Sequence, residues 1–162
     1  MEIRRATAQD HQRIMEIDRA AQDFMIQTGN PHQWGHFYPE SSLIEKDIEN
    51  GVCHVICADG DVHGVFALME GPDPTYRYIE GGNWLNDAPY LVIHRIAGDG
   101  QVHGLVTKAA EYAKGLSANV RVDTYHENVS MQRQISKNGF VECGTIYLED
   151  GSPRIAYQWA KK

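Results

Sequence analysis

The stretch Gly98 to Gly104, GDGQVHG, lies between an apolar run, Tyr90 to Ala97 (YLVIHRIA), and a helix-like run, Leu105 to Leu116 (LVTKAAEYAKGL). A glycine-rich turn that opens a helix presents unpaired N–H groups and the positive end of the helix dipole. Together these hold a phosphate without Lys or Arg. The segment has no basic residue apart from His103 and carries an acid, Asp99. It lacks the Gly-Lys-Ser/Thr ending of a Walker loop and does not fit a GxGxxG turn. Two readings stand: a phosphate cradle built from backbone, or a plain turn. His94 lies inside the preceding run. Histidine changes charge nearest neutral pH, which suits a proton relay. The alternative is a histidine packed in a sheet and bonded to backbone.

Eight His raise the question of a metal. No pair has HxxxH spacing on a helix, and none lies with Cys in a zinc pattern. His54 and His63 could face each other across a hairpin, but two ligands do not make a site, so no metal is expected. Cys53 and Cys57 share one strand-like run, VCHVICA. Four residues of strand span roughly 13 Å, too far for a disulfide. With Cys143 they read as small buried thiols in a reducing compartment.

The elements that must position these residues follow from periodicity. Glu2 to Arg5 reads as a first strand, and Thr7 with Asp10 as a short capping box for a helix whose apolar face is Ile14, Ile17, Ala21, Phe24 and Met25. Gly29-Asn30-Pro31 ends it. Ser42 with Glu45 reads as a capping box for a second helix carrying Ile44 and Ile48, stopped at Asn50-Gly51. Val52 to Ala58 and Val62 to Met69 are strands joined by the hairpin signal Asp59-Gly60. A long irregular insert follows, with a short strand expected at Tyr76 to Ile79. After the glycine loop comes a helix with Leu105, Ala109, Tyr112, Ala113 and Leu116 on one face. Then come the alternating strand Asn119 to Tyr125, a helix from Asn128 to Gly139, and a closing hairpin, Phe140 to Leu148 and Arg154 to Trp159. The order is βααββ, then β-loop-α-β-α-ββ, and a mixed sheet with helices on both faces is the natural solution.

The 162 residues suit one domain spanning 1–162. Hydrophobic residues are 42% and charged residues 23%, which argues for an ordinary globular chain. The net charge of −7, with scattered basic residues, argues against nucleic acid and weakly favours cationic small molecules. No apolar window is long enough for a membrane span, and MEIRRATAQD lacks the apolar core of a secretory signal, so a cytoplasmic protein is expected.

The order strand, glycine loop, helix, strand, then Asn128 followed after ten residues by Gly139-Phe140, resembles the GNAT superfamily of acyl-CoA-dependent N-acetyltransferases. That family's loop reads Gln or Arg, two residues, Gly, one residue, then Gly or Ala. Here Gln101 and Gly104 match, and Val106 departs from the small last residue. The second block matches at Asn128, Lys137, Gly139 and Phe140. CGTIYLEDGSPRIAYQ and QWGHFYP resemble one branch of small bacterial members, so the likeness covers essentially the whole chain. It implies a mixed, mostly antiparallel sheet of about seven strands with about four helices, the fourth and fifth strands splayed apart. It implies acetyl-CoA as co-substrate. The pantetheine arm would lie against Arg95, Ile96 and Ala97, and the pyrophosphate in the loop Gln101, Val102, His103, Gly104, Leu105 and Val106. Asn128 and Met131 would flank the thioester.

The implied chemistry is transfer of the acetyl group to a primary amine, on a small molecule or peptide, by direct attack in a ternary complex. A protonated amine is no nucleophile, so a base must take its proton. His94 is the favoured base and Glu80 the second candidate. The family's usual acid, a Tyr seven residues after the Asn, is Ile135 here. Tyr125 and Tyr147 are replacements to consider, and a CoA thiolate can also leave unaided. Trp34, Tyr38, Tyr76 and Trp84, with Tyr78, fall in the two irregular segments that line the acceptor site in this family. They would bind an aliphatic or cationic amine, or else fill space under the loops. Homodimers are common in the family. The competing reading is a GNAT-fold module that binds an acyl-CoA or other ligand and transfers nothing.

Overall fold

Asp59 and Gly60 both take positive φ, 51° and 85°. A two-residue hairpin turn of this kind matches the twist of the strands it joins. It links β2 (Cys53–Ala58) to β3 (Asp61–Glu70) and begins their pairing at Ala58 and Asp61. The computed structural model describes residues 1–162. The remaining elements are β1 (Glu2–Arg5), α1 (His11–Gln27), α2 (Ser41–Glu49), β4 (Leu91–Gly98), α3 (Leu105–Lys114), β5 (Asn119–Thr124), α4 (Val129–Lys137), β6 (Val141–Tyr147) and β7 (Pro153–Ala160). They form a seven-stranded sheet in the order β1-β2-β3-β4-β5-β7-β6. Every neighbouring pair is antiparallel except β4 and β5.

The parallel pair is brief. Leu91 meets Val120 and Val92 meets Arg121, and pairing stops there. Two residues later β4 bulges. Ala67 of β3 faces His94 and Val65 faces Ala97, so Arg95 and Ile96 together oppose the single residue Phe66. Arg95 has φ 54°, a left-handed conformation that costs a non-glycine residue about 1–3 kcal/mol. A buried, two-toothed ion pair offsets it: Arg95 Nε donates to Asp47 Oδ2 and Nη2 to Asp47 Oδ1, both at 3.0 Å.

Side-chain alternation distributes three cores over the two faces. Phe66, Ile93, Val120, Val122 and Tyr157 pack with Leu105, Ala109 and Ala113 of α3 and Ile135 of α4. On the opposite face, Val55, Val65 and Ala97 pack with Ile14, Ile17 and Ala21 of α1 and Ile44 of α2. On that same side, over the later strands, the insert between β3 and β4 lays Tyr76 on Val92, Ile146 and Ala156. Beneath the insert the guanidinium of Arg121 lies 4.0 Å from the ring of Trp84 and 3.9 Å from that of Tyr90.

Several expectations are corrected. α2 begins at Ser41 with Glu40 at its cap and no side-chain capping bond, so Ser42 and Glu45 form no capping box. The insert has a 3-10 turn at Pro74–Tyr76 instead of a strand, and joins the sheet only through a bridge from Glu80 to Thr145. Phe24 is 58% exposed rather than packed with Ile14, and Leu116 lies beyond the end of α3 and is also exposed. His54 pairs across the hairpin with Phe66, not His63, and stacks on it. The three cysteines are free. No group of three or more His, Cys, Asp and Glu converges to hold a metal ion, and no helix is long and apolar enough to cross a membrane.

Asp18 sits on the buried face of α1, and neither carboxylate oxygen has a partner. Burial pushes its pKa up to about 7; Arg95 opposes the shift and Asp47 adds to it. An unfolded Asp18 ionises near its ordinary value while the folded one stays neutral. Stability therefore falls between about pH 4 and pH 7 and is level above, by about 4 kcal/mol at most. Asp18→Asn should raise the melting temperature relative to wild type more at pH 8 than at pH 4. A difference that does not vary with pH would show that Asp18 is ionised when folded.

Candidate functional site

Asp99, the acid in the glycine loop, has partners on both oxygens. Its Oδ1 accepts the Gln101 N–H at 3.0 Å. Its Oδ2 accepts from Arg13 Nη2 at 2.6 Å and faces His63 Nδ1 at 2.7 Å. A carboxylate only accepts, so His63 Nδ1 carries the hydrogen. Burial alone would raise the Asp99 pKa, but the Gln101 N–H, His63 and Arg13 hold it below its ordinary value. The negative charge of Asp99, which itself lies at the cleft described next, is thus matched by Arg13 and His63. Gly104, φ 81°, is the N-cap of α3 and adds no side-chain cap. The first capping bond runs from Lys108 N–H to Gly104 O at 3.0 Å, so the N–H groups of Leu105, Val106 and Thr107 have no partner in the protein. Gly98 lets the loop fold back closely on α3: a Cβ there would lie 2.5 Å from Leu105 Cδ1, which would have to move aside.

These N–H groups open onto a cleft of about 540 Å³ between α1, the end of β4, α3 and α4, a size typical of small-molecule sites. Ile96, Ala97, Val102, His103, Gly104, Leu105, Val106, Asn128 and Met131 line it. Gln101 does not, and the Arg95 side chain points to Asp47 instead. Phe24, Met25 and Thr28 of the α1 end form a wall that sequence reading did not foresee. Asn128 Oδ1 caps α4 through the Met131 N–H at 3.1 Å, while its Nδ2 donates to Gln33 at 3.0 Å. Gln33 and the neighbouring pair His32–Glu127, at 2.9 Å, tie the α1–α2 connection across to the start of α4. Under the divergence of β4 and β5, Ile135 lines a small apolar hollow with Ile93, Ile96, Val122 and Met131.

The polar groups sit on the insert-covered face. His94 shares that face with Val92, and its Nε2 lies 2.8 Å from Asp73 Oδ2. Asp73 is held in turn by the Thr75 N–H at 2.9 Å and Thr75 Oγ1 at 2.7 Å. Although burial raises its pKa, bonds from His94 and Thr75 bring it down to about 2. An ionised Asp73 makes His94 Nε2 the donor, which leaves Nδ1 of the neutral ring with a free lone pair. On β5, Asp123 Oδ2 accepts the Tyr76 hydroxyl at 2.6 Å, and burial raises the Asp123 pKa. The Tyr76 ring lies 6.2 Å from that of His94, so His94, Asp73, Tyr76 and Asp123 form one cluster. Arg154 of β7 lies beside it, 4.6 Å from the ring of Tyr125.

The other expected residues divide. Tyr38 stays partly exposed near Arg95, whose Nη1 is 3.4 Å from its hydroxyl, and Trp34 packs edge-on against it. Trp84 stacks on Arg121 and donates its indole N–H to Tyr76 O at 2.9 Å. Glu80 is exposed and accepts from the Tyr147 hydroxyl beside the stacked Tyr78–Tyr147 pair, so these groups bond each other and not His94. Asp73, Asp123 and Arg154 were missed. The alternation Val120-Arg121-Val122-Asp123 did signal that Asp123 faces away from the helical core. Nothing local marked Asp73 or Arg154.

An acetyltransferase of the GNAT family from Streptococcus agalactiae 2603 has this architecture, with a TM-score of 0.88 at 33% identity over 99% of this chain and 95% of that one. The chain belongs to the GNAT family of acetyltransferases. Its fold is shared at lower identity by a GNAT acetyltransferase from Listeria monocytogenes 4b F2365, with TM-score 0.70, 19% identity, and 98% of this chain and 94% of that one covered. It is shared too by the ribosomal-protein-alanine N-acetyltransferase of Brucella melitensis, with TM-score 0.66, 16% identity, and 99% of each chain covered. No protein-family model matches the sequence, and no curated protein does. The GNAT assignment supports an acyltransferase. Asp99→Asn should destabilise the protein by about 1–3 kcal/mol at pH 7, because it removes the charge facing Arg13 and His63 and sets an NH2 donor either against them or against the Gln101 N–H. The loss should vanish as pH falls below the depressed Asp99 pKa. Amide exchange at Gln101 should rise in parallel; unchanged exchange would mean that Asp99 does not order the loop.

Proposed function

We propose that this GNAT protein transfers an acetyl group from acetyl-CoA to a primary amine by direct attack in a ternary complex. The observation that carries the reading is the cleft itself: it joins the free edge of β4 to the uncapped start of α3. An extended pantetheine arm supplies the strand that β5 withdraws, along Arg95, Ile96 and Ala97. The α3 N–H groups and the loop from Gln101 to Val106 take the pyrophosphate. Asn128 and Met131 flank the thioester.

The chain's own groups then manage protons. His94 Nδ1, with Nε2 anchored on Asp73, takes a proton from the incoming ammonium, directly or through water. The amine nitrogen bonds to the thioester carbon, a backbone N–H of the splayed strand steadies the oxyanion, and the C–S bond breaks. The amide nitrogen sheds its second proton, the thiolate takes one, and one goes to solvent. With Ile135 buried where the family carries its acid, the thiolate leaves unaided or draws on Tyr125 at the end of β5. Glu80, held by Tyr147, is left without a part.

Acetyl-CoA and CoA at a hundredfold excess over their dissociation constants should each stabilise the protein by roughly 2.7 kcal/mol, a shift of roughly 5–10 °C, whereas ATP should not. No shift with either CoA species would remove the reading. His94→Ala should lower kcat by ~10²–10⁴-fold. Asp73→Asn should also lower kcat while leaving KM for acetyl-CoA within about twofold. Full activity of His94→Ala across pH 6–9 would take the proton relay away from His94. Ile135 favours a second reading, a ligand-binding module without chemistry, and turnover of any amine would eliminate it.

A further inference from the structure

Arg154 is one of two arginines buried in the protein, at 8% exposure. The other, Arg121, is closed between two aromatic rings, with Nε directed to Gln158 and Nη2 to Asn86. Arg95 is matched by Asp47, Arg4 by Asp10 and Arg13 by Asp99. Arg154 has no carboxylate at ion-pairing distance. Its Nη1 donates to Ser152 Oγ at 2.5 Å and to Pro153 O at 2.9 Å. Its Nε and Nη2 donate to nothing, yet they are not among the sealed polar atoms that lack partners. Stacking on Tyr125 fixes the plane of the fork. Those two donors therefore reach solvent from a guanidinium that is otherwise buried, so a carboxylate can displace water there and take both of them on the fork.

What lies next to it indicates what. On β7, Ala156 pairs with Asp123 and Ile155 with Thr124, so Arg154 is one step further toward the mouth between β4 and β5. Alternation puts Arg154 on the face of Ala156, which is also the face of Asp123 and His94. Asp123 has one oxygen on Tyr76, and its Oδ1 accepts from no protein group. An open carboxylate and an open guanidinium therefore stand as neighbours on one face without bonding each other.

We propose that the acceptor is an amine bearing its own carboxylate a bond or two away, as an α-amino acid does, with its ammonium toward Asp123 and His94 and its carboxylate on the free edge of Arg154. The proposal rests on the acetyltransferase reading and narrows its acceptor. An α-amino acid satisfies both open groups at once. A simple amine leaves the Arg154 donors unmet, and a polyamine brings a second positive charge against them. A peptide N-terminus carries its carboxylate too far away. The transfer balances as above: one C–N bond forms, one C–S bond breaks, and the carboxylate is unchanged.

The test uses the full-length chain with acetyl-CoA and reads CoA thiol release. L-Phenylalanine, L-leucine, L-methionine and L-glutamate are each compared with the matching α-carboxamide and the amine lacking that carboxyl group. The carboxylate member should be favoured by roughly 10²-fold or more in kcat/KM in at least one set, because a site built around a hydrogen-bonded group rejects analogues lacking it. Arg154→Gln should bring the acid-to-amide ratio close to one, and Arg154→Lys should recover only part of it, since an ammonium cannot reproduce the fork. Amides and plain amines used as well as the acids by the wild type would overturn the proposal and leave acetyl transfer standing. Titrating the CoA-loaded protein with the same sets separates the reverse case. Selective binding of the acids that Arg154→Gln abolishes, without turnover, would keep the Arg154 subsite and remove the acetyltransferase reading. No binding and no turnover of any carboxylate member would overturn the proposal.

Discussion

β4 and β5 start as hydrogen-bonded parallel neighbours at Leu91–Val120 and Val92–Arg121 and have parted before His94. An unpaired strand edge inside a protein leaves N–H and C=O groups in want of partners, at a cost comparable to lost hydrogen bonds. The chain sustains the divergence through the bulge at Arg95. The ion pair with Asp47 holds that strained residue from the α2 side, and Ile93, Val122 and Ile135 line the wedge from the other with apolar surface. The gap leaves one edge open for an extended ligand. It also sets His94 and Asp123, from adjacent strands, on one face of the sheet.

Charge placement solves a second problem. For the pyrophosphate of the proposed co-substrate, a chain of net charge −7 is a poor host unless its acids near the site are neutralised or turned away. Asp99 is neutralised, through Arg13 and His63. Asp47 is matched by Arg95, and Asp18 avoids ionising up to about pH 7. Asp73 keeps its charge and uses it to orient His94. The carboxylate left open is Asp123, and it stands beside the guanidinium left open, Arg154.

The insert between β3 and β4 explains why so many aromatics were legible as important and so few as to their role. In sequence, Tyr76, Tyr78 and Trp84 look alike: rings in an irregular stretch. In the fold, Trp84 and Tyr90 enclose Arg121, Tyr78 lies on Tyr147, and Tyr76 turns its ring into the core and its hydroxyl onto Asp123. Which ring supports and which reaches the site depends on the partner each meets. Those partners lie up to 69 residues away, as Tyr147 does from Tyr78.

The sequence by itself determined the elements and the family. Strand alternation, the Asp59-Gly60 turn, the Asn128 cap and the loop from Gln101 to Gly104 are local signals, set by backbone sterics and side-chain period. The family resemblance that those motifs carry is what named the residues from Ile96 to Met131, all but Gln101 of which line the cleft. Only the tertiary structure decided which way Asp99 faces, that Asp73 holds His94, and that Arg154 lies beside Asp123 without pairing to it. The physical reason is range. Backbone preference acts over a few residues, whereas a hydrogen bond or an unmet charge is defined by atoms that the chain brings together from distant positions. No pattern along the sequence records that a donor has been left without an acceptor.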